Sequence, residues 1–351
     1  MVKSPLIIKD LQQIEFELTS RCNAGCPLCP RTVLHDDPNK ELPISDINFD
    51  SMKEWMPKEF KHRIDFKLSG NIGDAGVHPK CDEIIKFLGS YGNRTSIKLH
   101  TNGGMRSAAF WQEMGQISYH GYRAAGEENK FQFTTRFAID GLDDTNHLYR
   151  IGTRFDTIMR NVEAYVTAGG TAEWHFIEFD HNTHQIDEAQ RLAESMGVKF
   201  VQRLSVRNHQ MKKATPHPAL VEYKSVFKAV DAYKAGDPDQ SVTDKILQLS
   251  KSVRCQHLRS PEAYVASNET LWPCCMLWNE YVSNGNRESW PEDPNWNNLK
   301  VNSMQDILNN EWYTNIETYW NTKHNNFIPE CLRKCAHKGT FTTQFEERQK
   351  I

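Results

Sequence analysis

Three cysteines in the string FELTSRCNAGCPLCPR, Cys22, Cys26 and Cys29, constrain this chain more than any other feature. They follow an apolar run of β type, and their C-x3-C-x2-C spacing puts three sulfurs on one short loop. Cubane iron–sulfur clusters are held by cysteine thiolates, four for a fully protein-ligated cluster. Three thiolates each take one iron and leave the fourth iron open to a small molecule that offers an amine and a carboxylate. Gly25 and Pro27 suit a loop that must curl around a compact group. Zinc is the competing reading. It wants a fourth ligand, and His35, six residues past Cys29, is the nearest candidate.

The other cysteines sharpen the question. Cys81 stands alone, whereas Cys255, Cys274, Cys275, Cys331 and Cys335 lie in the last third of the chain. The total of nine is odd, which argues against a simple set of paired bridges. The opening MVKSPLIIKDLQQ has only a four-residue apolar stretch and no small-residue cleavage site, so no signal peptide is expected. The expected compartment is therefore the cytosol, where clustered cysteines read as metal-binding or catalytic. No run approaches the 18 apolar residues of a membrane span. A formal charge of −3 lacks the basic footprint of a nucleic-acid binder.

Through residue 204 the sequence alternates β-type runs with helical patterns. Strands are predicted at Gln13–Thr19, Arg63–Ser69, Thr95–Thr101, Gln132–Ile139, Glu173–Phe179 and Lys199–Leu204. Helices are predicted at Lys80–Tyr91, Ser107–Met114, Phe155–Ala168 and Ile186–Met196, the last two followed by Gly169 and Gly197 where a C-cap is expected. Such alternation reads as βαβ units on a parallel sheet, here a partial (β/α)6 barrel, with ligands at the C-terminal strand ends. The expected organisation is a barrel over 1–210, a linker with the helix Val221–Tyr233 over 211–250, and a small α+β domain over 251–351. In that domain EAYVASNETLWPCC reads as a hairpin turning at Asn268, and Asn284–Asn298 as an irregular surface loop.

With these residues in place, the chain resembles the radical S-adenosylmethionine (SAM) superfamily, whose defining motif is the C-x3-C-x2-C loop after the first barrel strand. CNAGCPLCPR is similar to the members with SPASM or twitch extensions. Leu28 departs from the pattern: the family often has an aromatic residue there, and leucine supplies apolar contact without ring stacking. The resemblance implies several SAM contacts. LSGNIGDAGVHP stands where the family has a Gly-Gly-Glu-Pro-like element, with Gly73 and Asp74 at the key place and Ala75 for proline. Thr101 and Asn102, in the polar turn KLHTNGG that any such barrel would have at the end of its third strand, are candidates by position alone. FAIDGLDDTNHLYRIG resembles the stretch that places Asp140 at a strand end and Arg150 against the SAM carboxylate, with Ala138 for the usual serine. Asn182 follows the fifth strand. His175, His181 and His184 gather nearby and are read as loop residues, with no catalytic acid or base assigned.

The layout of Cys255, Cys274, Cys331 and Cys335 resembles the twitch domain, which carries one auxiliary cluster; a full SPASM domain needs more cysteines. Four cysteines also fit a zinc site. In LWPCCM, Cys274 and Cys275 point to opposite faces of an extended segment, and placement in related sequences favours Cys274 as the ligand. The implied cofactors are a SAM-binding [4Fe–4S] cluster, SAM and an auxiliary iron–sulfur cluster, with a flavodoxin- or ferredoxin-type electron donor. The layout resembles 2-deoxy-scyllo-inosamine dehydrogenases and anaerobic sulfatase-maturating enzymes. That implies oxidation of a hydroxyl-bearing small molecule or side chain. Peptide crosslinking or epimerisation is the second reading; only about a dozen residues precede the first strand, so no N-terminal peptide-recognition domain is expected. A non-catalytic electron-transfer protein is the third.

Overall fold

The computed structural model describes residues 7–33, 37–38, 42, 44–92, 95–121, 130–204, 240–283, 290–320 and 328–336. Six strands follow the sequence pattern: β1 (Gln13–Phe16), β2 (Ile64–Leu68), β3 (Thr95–Thr101), β4 (Phe131–Ala138), β5 (Thr171–Glu178) and β6 (Lys199–Leu204). They pair in chain order, all parallel. Helices α1 (Phe49–Trp55), α2 (Cys81–Gly89), α3 (Ala108–Tyr119), α4 (Phe155–Thr167) and α5 (Ile186–Ser195) lie between them. Local chemistry sets their ends. Asn48 caps α1 by accepting from the Asp50 and Ser51 N–H groups, and Ser107 caps α3 by accepting from Phe110. Gly169 (φ +91) and Gly197 (φ +71) close α4 and α5 in the left-handed region, as expected.

The strands sort their side chains by period two. Ile14, Phe16, Phe66, Ile97, Leu99, Phe137, Trp174 and Phe176 are buried on the outer face, under the helices. Trp111 of α3, fully buried, meets the Phe137 ring at a centroid distance of 5.2 Å. Burying one such side chain contributes about 1.5–3 kcal/mol. The alternate positions are polar and half-buried: Glu15, Lys67, Lys98, His100, Arg136, Glu173 and His175 face the lumen of the curved sheet. The sheet thus carries an apolar face under the helices and a charged, half-buried face opposite.

The last third of the chain continues the same sheet. Strand β7 (Glu262–Val265) pairs parallel with β1, Gln13 opposite Glu262 and Phe16 opposite Val265, and β8 (Leu271–Trp272) returns antiparallel to β7. The expected six-stranded sheet is therefore extended to eight strands. The hairpin is present, but its left-handed residue is Glu269 (φ 62), one position after Asn268, and the Ala266 N–H donates to the Thr270 carbonyl. The segment read as a surface loop buries Trp290, Trp296 and Asn297. Trp272 meets Trp290 at 5.4 Å and Trp296 at 5.5 Å, and Trp296 meets Trp312 at 4.8 Å. These rings share one continuous core with the barrel helices. Helix α6 (Gln240–Ser252) packs Ile246, Leu249 and Val253, just beyond it, against Leu332 of α8 (Pro329–Cys335) and Ala336. Part of the expected linker thus belongs to the C-terminal packing. Arg207–Pro218 and Val221–Tyr233 lie outside the described residues. Among the described residues no helix is long and apolar enough to cross a membrane.

Candidate functional site

The cysteine loop leaves β1 at the C-terminal edge of the sheet, and each neighbouring strand sends a group to it. From the end of β3, Asn102 Nδ2 donates to Cys22 Sγ at 3.7 Å and to Asn23 Oδ1 at 2.8 Å. The Ala24 N–H also points at Cys22 Sγ, at 3.4 Å. Beyond β4, Arg150 Nη1 lies 3.7 Å from Cys26 Sγ, while Cys29 Sγ lies 3.9 Å from the Ile72 carbonyl. Gly25 N–H donates to the Ile151 carbonyl at 2.8 Å, tying the loop to the turn after Arg150. Burial and the nearby Asp74 carboxylate push the Cys22 thiol up to about 12.

Arg150 and Asp140 form the charged core of the site. Arg150 Nε lies 2.6 Å from Asp140 Oδ2, and the other Asp140 oxygen accepts the Ile177 N–H at 2.7 Å. Burial works against the Arg150 charge, but Asp140 and Cys26 outweigh it and raise the guanidinium above its ordinary value. The Asn182 amide is fully buried. Its Nδ2 donates to the carbonyls of Asp140 (2.8 Å) and Ile177 (2.9 Å), and its Oδ1 accepts from the Phe179 N–H at 2.7 Å. Asn182 thus sets the strand ends that carry Asp140.

Asp74 has a similar place behind the site. Its Oδ2 accepts from Asn102 N (2.7 Å) and Thr101 Oγ1 (3.1 Å), and its Oδ1 from Gly76 N (3.0 Å). Burial raises its carboxyl despite these donors. Asp74 clips the turn after β2 to the end of β3, so it fixes the backbone from which Asn102 reaches Cys22. Gly73 is packed without slack: a Cβ there would stand 1.9 Å from the Thr19 carbonyl oxygen.

Two groups were missed by reading the sequence. Glu17, fully buried, accepts from the N–H groups of Asn71 (3.1 Å), Ile72 (3.1 Å) and Gly73 (2.7 Å), and from the Tyr264 hydroxyl at 3.0 Å. Its position two residues before the loop's Thr19 was the available signal, since a carboxylate at an apolar strand end has to be satisfied by something. The second is an aromatic pair. Leu28 packs with Cys26, Tyr149 and Phe179, whose rings lie 4.5 Å apart. Tyr149 and Phe179 thus set two rings beside Leu28.

The second cysteine group assembles from three elements. Cys274 lies within electrostatic reach of Cys255 and Cys335, and Cys331 of all three; burial first, then these neighbours, push both thiols up. The Arg254 N–H donates to the Cys335 carbonyl at 3.1 Å, holding the Cys255 segment against α8. Cys275, the first residue of α7 (Cys275–Ser283), faces the other way, towards Glu15 of β1, Glu17 just after it and Lys67 of β2. Cys81 is buried in the α2 core, apart from both groups. Among the described residues no three His, Cys, Asp or Glu side chains converge closely enough to hold one metal ion. A cubane, with thiolates at its corners, spaces its ligands wider than a zinc ion with Zn–S bonds of about 2.3 Å.

No family model and no curated protein matches the chain. Solved structures do. Hexahistidine-tagged anSMEcpe with bound AdoMet matches with a TM-score of 0.54 at 13% identity, over 88% of this chain and 80% of that one. Streptococcus suis SuiB bound to S-adenosylmethionine matches at 0.55 and 11% identity, over 88% of this chain and 68% of that one. The same protein bound to precursor peptide SuiA matches at 0.54 and 12%, over 93% and 71%. At such identities the likeness is one of fold, a partial barrel that this chain shares with these structures.

Proposed function

We propose that the protein is a radical SAM enzyme in which Cys22, Cys26 and Cys29 hold a SAM-binding [4Fe–4S] cluster and Cys255, Cys274, Cys331 and Cys335 an auxiliary iron–sulfur cluster. The observation that carries this reading is the pair of side-chain donors on the loop sulfurs, Asn102 on Cys22 and Arg150 on Cys26. Sulfurs that accept N–H groups have the surroundings of thiolate ligands, whose hydrogen bonds set the potential of what they hold. When bound, such a cluster supplies the electron that splits SAM into methionine and a 5′-deoxyadenosyl radical, which takes hydrogen from an unactivated carbon.

The chain's own residues do the positioning. Arg150, kept charged by Asp140, offers its planar fork to the SAM carboxylate. Asn102 orients the Cys22 sulfur, with Asp74 and Gly73 fixing the backbone behind it and Asn182 doing the same for Asp140. Leu28, Tyr149 and Phe179 supply an apolar wall that keeps water from the reacting atoms. Four cysteines close the auxiliary site to substrate, which favours a net two-electron oxidation, and the polar lumen suits a hydroxyl-bearing small molecule or side chain. Modification of a peptide is the second reading, supported by the likeness to SuiB bound to its precursor peptide.

Anaerobic reconstitution tests the proposal. About eight irons are expected, with 5′-deoxyadenosine formed on reduction in the presence of SAM. Replacing Cys22, Cys26 and Cys29 by alanine should abolish deoxyadenosine; its persistence would refute the assignment. Arg150→Ala should weaken SAM binding about 10- to 100-fold at unchanged iron content, with Arg150→Lys in between. Unchanged affinity in both variants would move the SAM carboxylate elsewhere.

A further inference from the structure

The lumen face of the sheet sets two lysines side by side. Lys67 of β2 and Lys98 of β3 are direct partners in the parallel register, both on the half-buried face of their strands. The carboxylates nearest them also have other partners, and one of them, Glu15, stands opposite Lys67 in the β1–β2 register. Glu173 pairs with Arg136 at 2.9 Å and His175 at 2.8 Å, Asp65 with Arg63 at 3.5 Å, and Glu15 accepts from Ser69 at 2.7 Å. Among the described residues neither lysine makes a hydrogen bond or an ion pair. Neighbouring strands stand about 4.8 Å apart, so the two lysine side chains rise side by side from the half-buried face. Burial, and then the Arg136 charge, lower the Lys98 pKa. Lys67 also lies within electrostatic reach of Cys275, the chain neighbour of Cys274. Lys67 therefore stands on the side of the sheet towards which Cys275 faces.

We propose that Lys67 and Lys98 seat an anionic group of the substrate, a carboxylate or a phosphate, within the barrel lumen. An anion between them removes the repulsion of the two charges and gains two charge-assisted hydrogen bonds. It also fixes one end of the molecule, so that a chosen carbon is presented to the site at the strand ends. This substrate class rests on the enzyme reading above.

The test uses reconstituted, SAM-loaded holoenzyme and pyridoxal 5′-phosphate, an aldehyde that carries its own phosphate and condenses with amines to imines. Borohydride then fixes the adducts, and mass spectrometry maps them. Lys67 or Lys98 should be labelled about tenfold more than the exposed Lys58, and inorganic phosphate or acetate at constant ionic strength should protect them. Protection by phosphate alone assigns a phosphate substrate, and protection by acetate alone a carboxylate. Labelling no greater than at Lys58, or unmoved by either anion, overturns the proposal. Deoxyadenosine formation in the same preparation separates the two readings. Deoxyadenosine without protected lysines leaves the enzyme and removes the anion seat, while protected lysines without deoxyadenosine do the reverse.

Discussion

The Tyr264 hydroxyl donates to Glu17 Oε2 at 3.0 Å and joins β7, from the last third of the chain, to the end of β1. The same carboxylate holds the N–H groups of Asn71, Ile72 and Gly73, so one buried side chain anchors both the turn beside the cysteine loop and the C-terminal hairpin. Glu17→Ala strands those donors, each at about 1–3 kcal/mol, and should destabilise the protein by about 3 kcal/mol or more. Tyr264→Phe removes one partner and should cost about 1–2 kcal/mol. Chemical denaturation measures both, and a Glu17→Ala variant as stable as the parent would show that the anchor is idle.

Gly73→Ala tests the close approach at that turn. The added Cβ would meet the Thr19 carbonyl oxygen at 1.9 Å and the Arg21 carbonyl oxygen at 2.8 Å, both backbone atoms that cannot step aside. The turn must move, carrying Asp74 and then Asn102 with it. Overpacking of this kind costs about 1–3 kcal/mol. SAM affinity should fall while the auxiliary site keeps its iron; equilibrium SAM binding and iron analysis would expose the opposite result.

Cys274 and Cys275 should behave oppositely. Cys274 shares its surroundings with Cys255, Cys331 and Cys335, whereas Cys275 faces Glu15 and Glu17. Cys274→Ala is expected to lose iron from the auxiliary site, and Cys275→Ala to keep the full complement. Iron analysis and the absorption spectrum of each variant decide; equal losses would mean that the pair acts together.

Acid should weaken the protein through the lumen. Burial pushes His100 from 6.5 down to about 3, so the unfolded chain takes up a proton that the folded chain refuses. Stability then falls as pH drops from 6.5 towards 3. Glu173 is held at about 2, below its ordinary 4.5, by His175 first and by Arg136. Its contribution is complete above pH 4.5 and is lost as pH falls through about 2. His100→Gln should flatten the first decline and Glu173→Gln the second, as read from denaturation midpoints across pH. Unaltered profiles would place both residues in ordinary solvent.

Much of the barrel was legible because its signals are local. The runs IEF, IDFKL and TSIKLHT alternate apolar and polar residues over a few positions, and Gly169 and Gly197 mark helix ends. The cysteine loop was legible from spacing, and Arg150 came into view only through the resemblance of its stretch to a known family. What escaped was non-local. Nothing in EAYV says that it pairs with QIEF, since strand partners distant in sequence leave no periodic trace. Glu17 reads as one more polar residue until the N–H groups that surround it are in view. The stretch containing Trp290 and Trp296 is rich in Asn, Pro and Glu, so composition pointed to solvent, yet the indoles pull it into the core.

The docking of β7 on β1 has a consequence for synthesis. Tyr264 lies 247 residues after Glu17, an interval of roughly 12–50 s at a ribosome's ~5–20 residues per second. Throughout that time β1 can find β2 but has a bare row of peptide groups along its other side, an invitation to intermolecular pairing. The nascent chain therefore spends its youth with an unfinished seam beside the cysteine loop. Any helper that shields that seam, or hands over iron only once it has closed, would act on the same few residues.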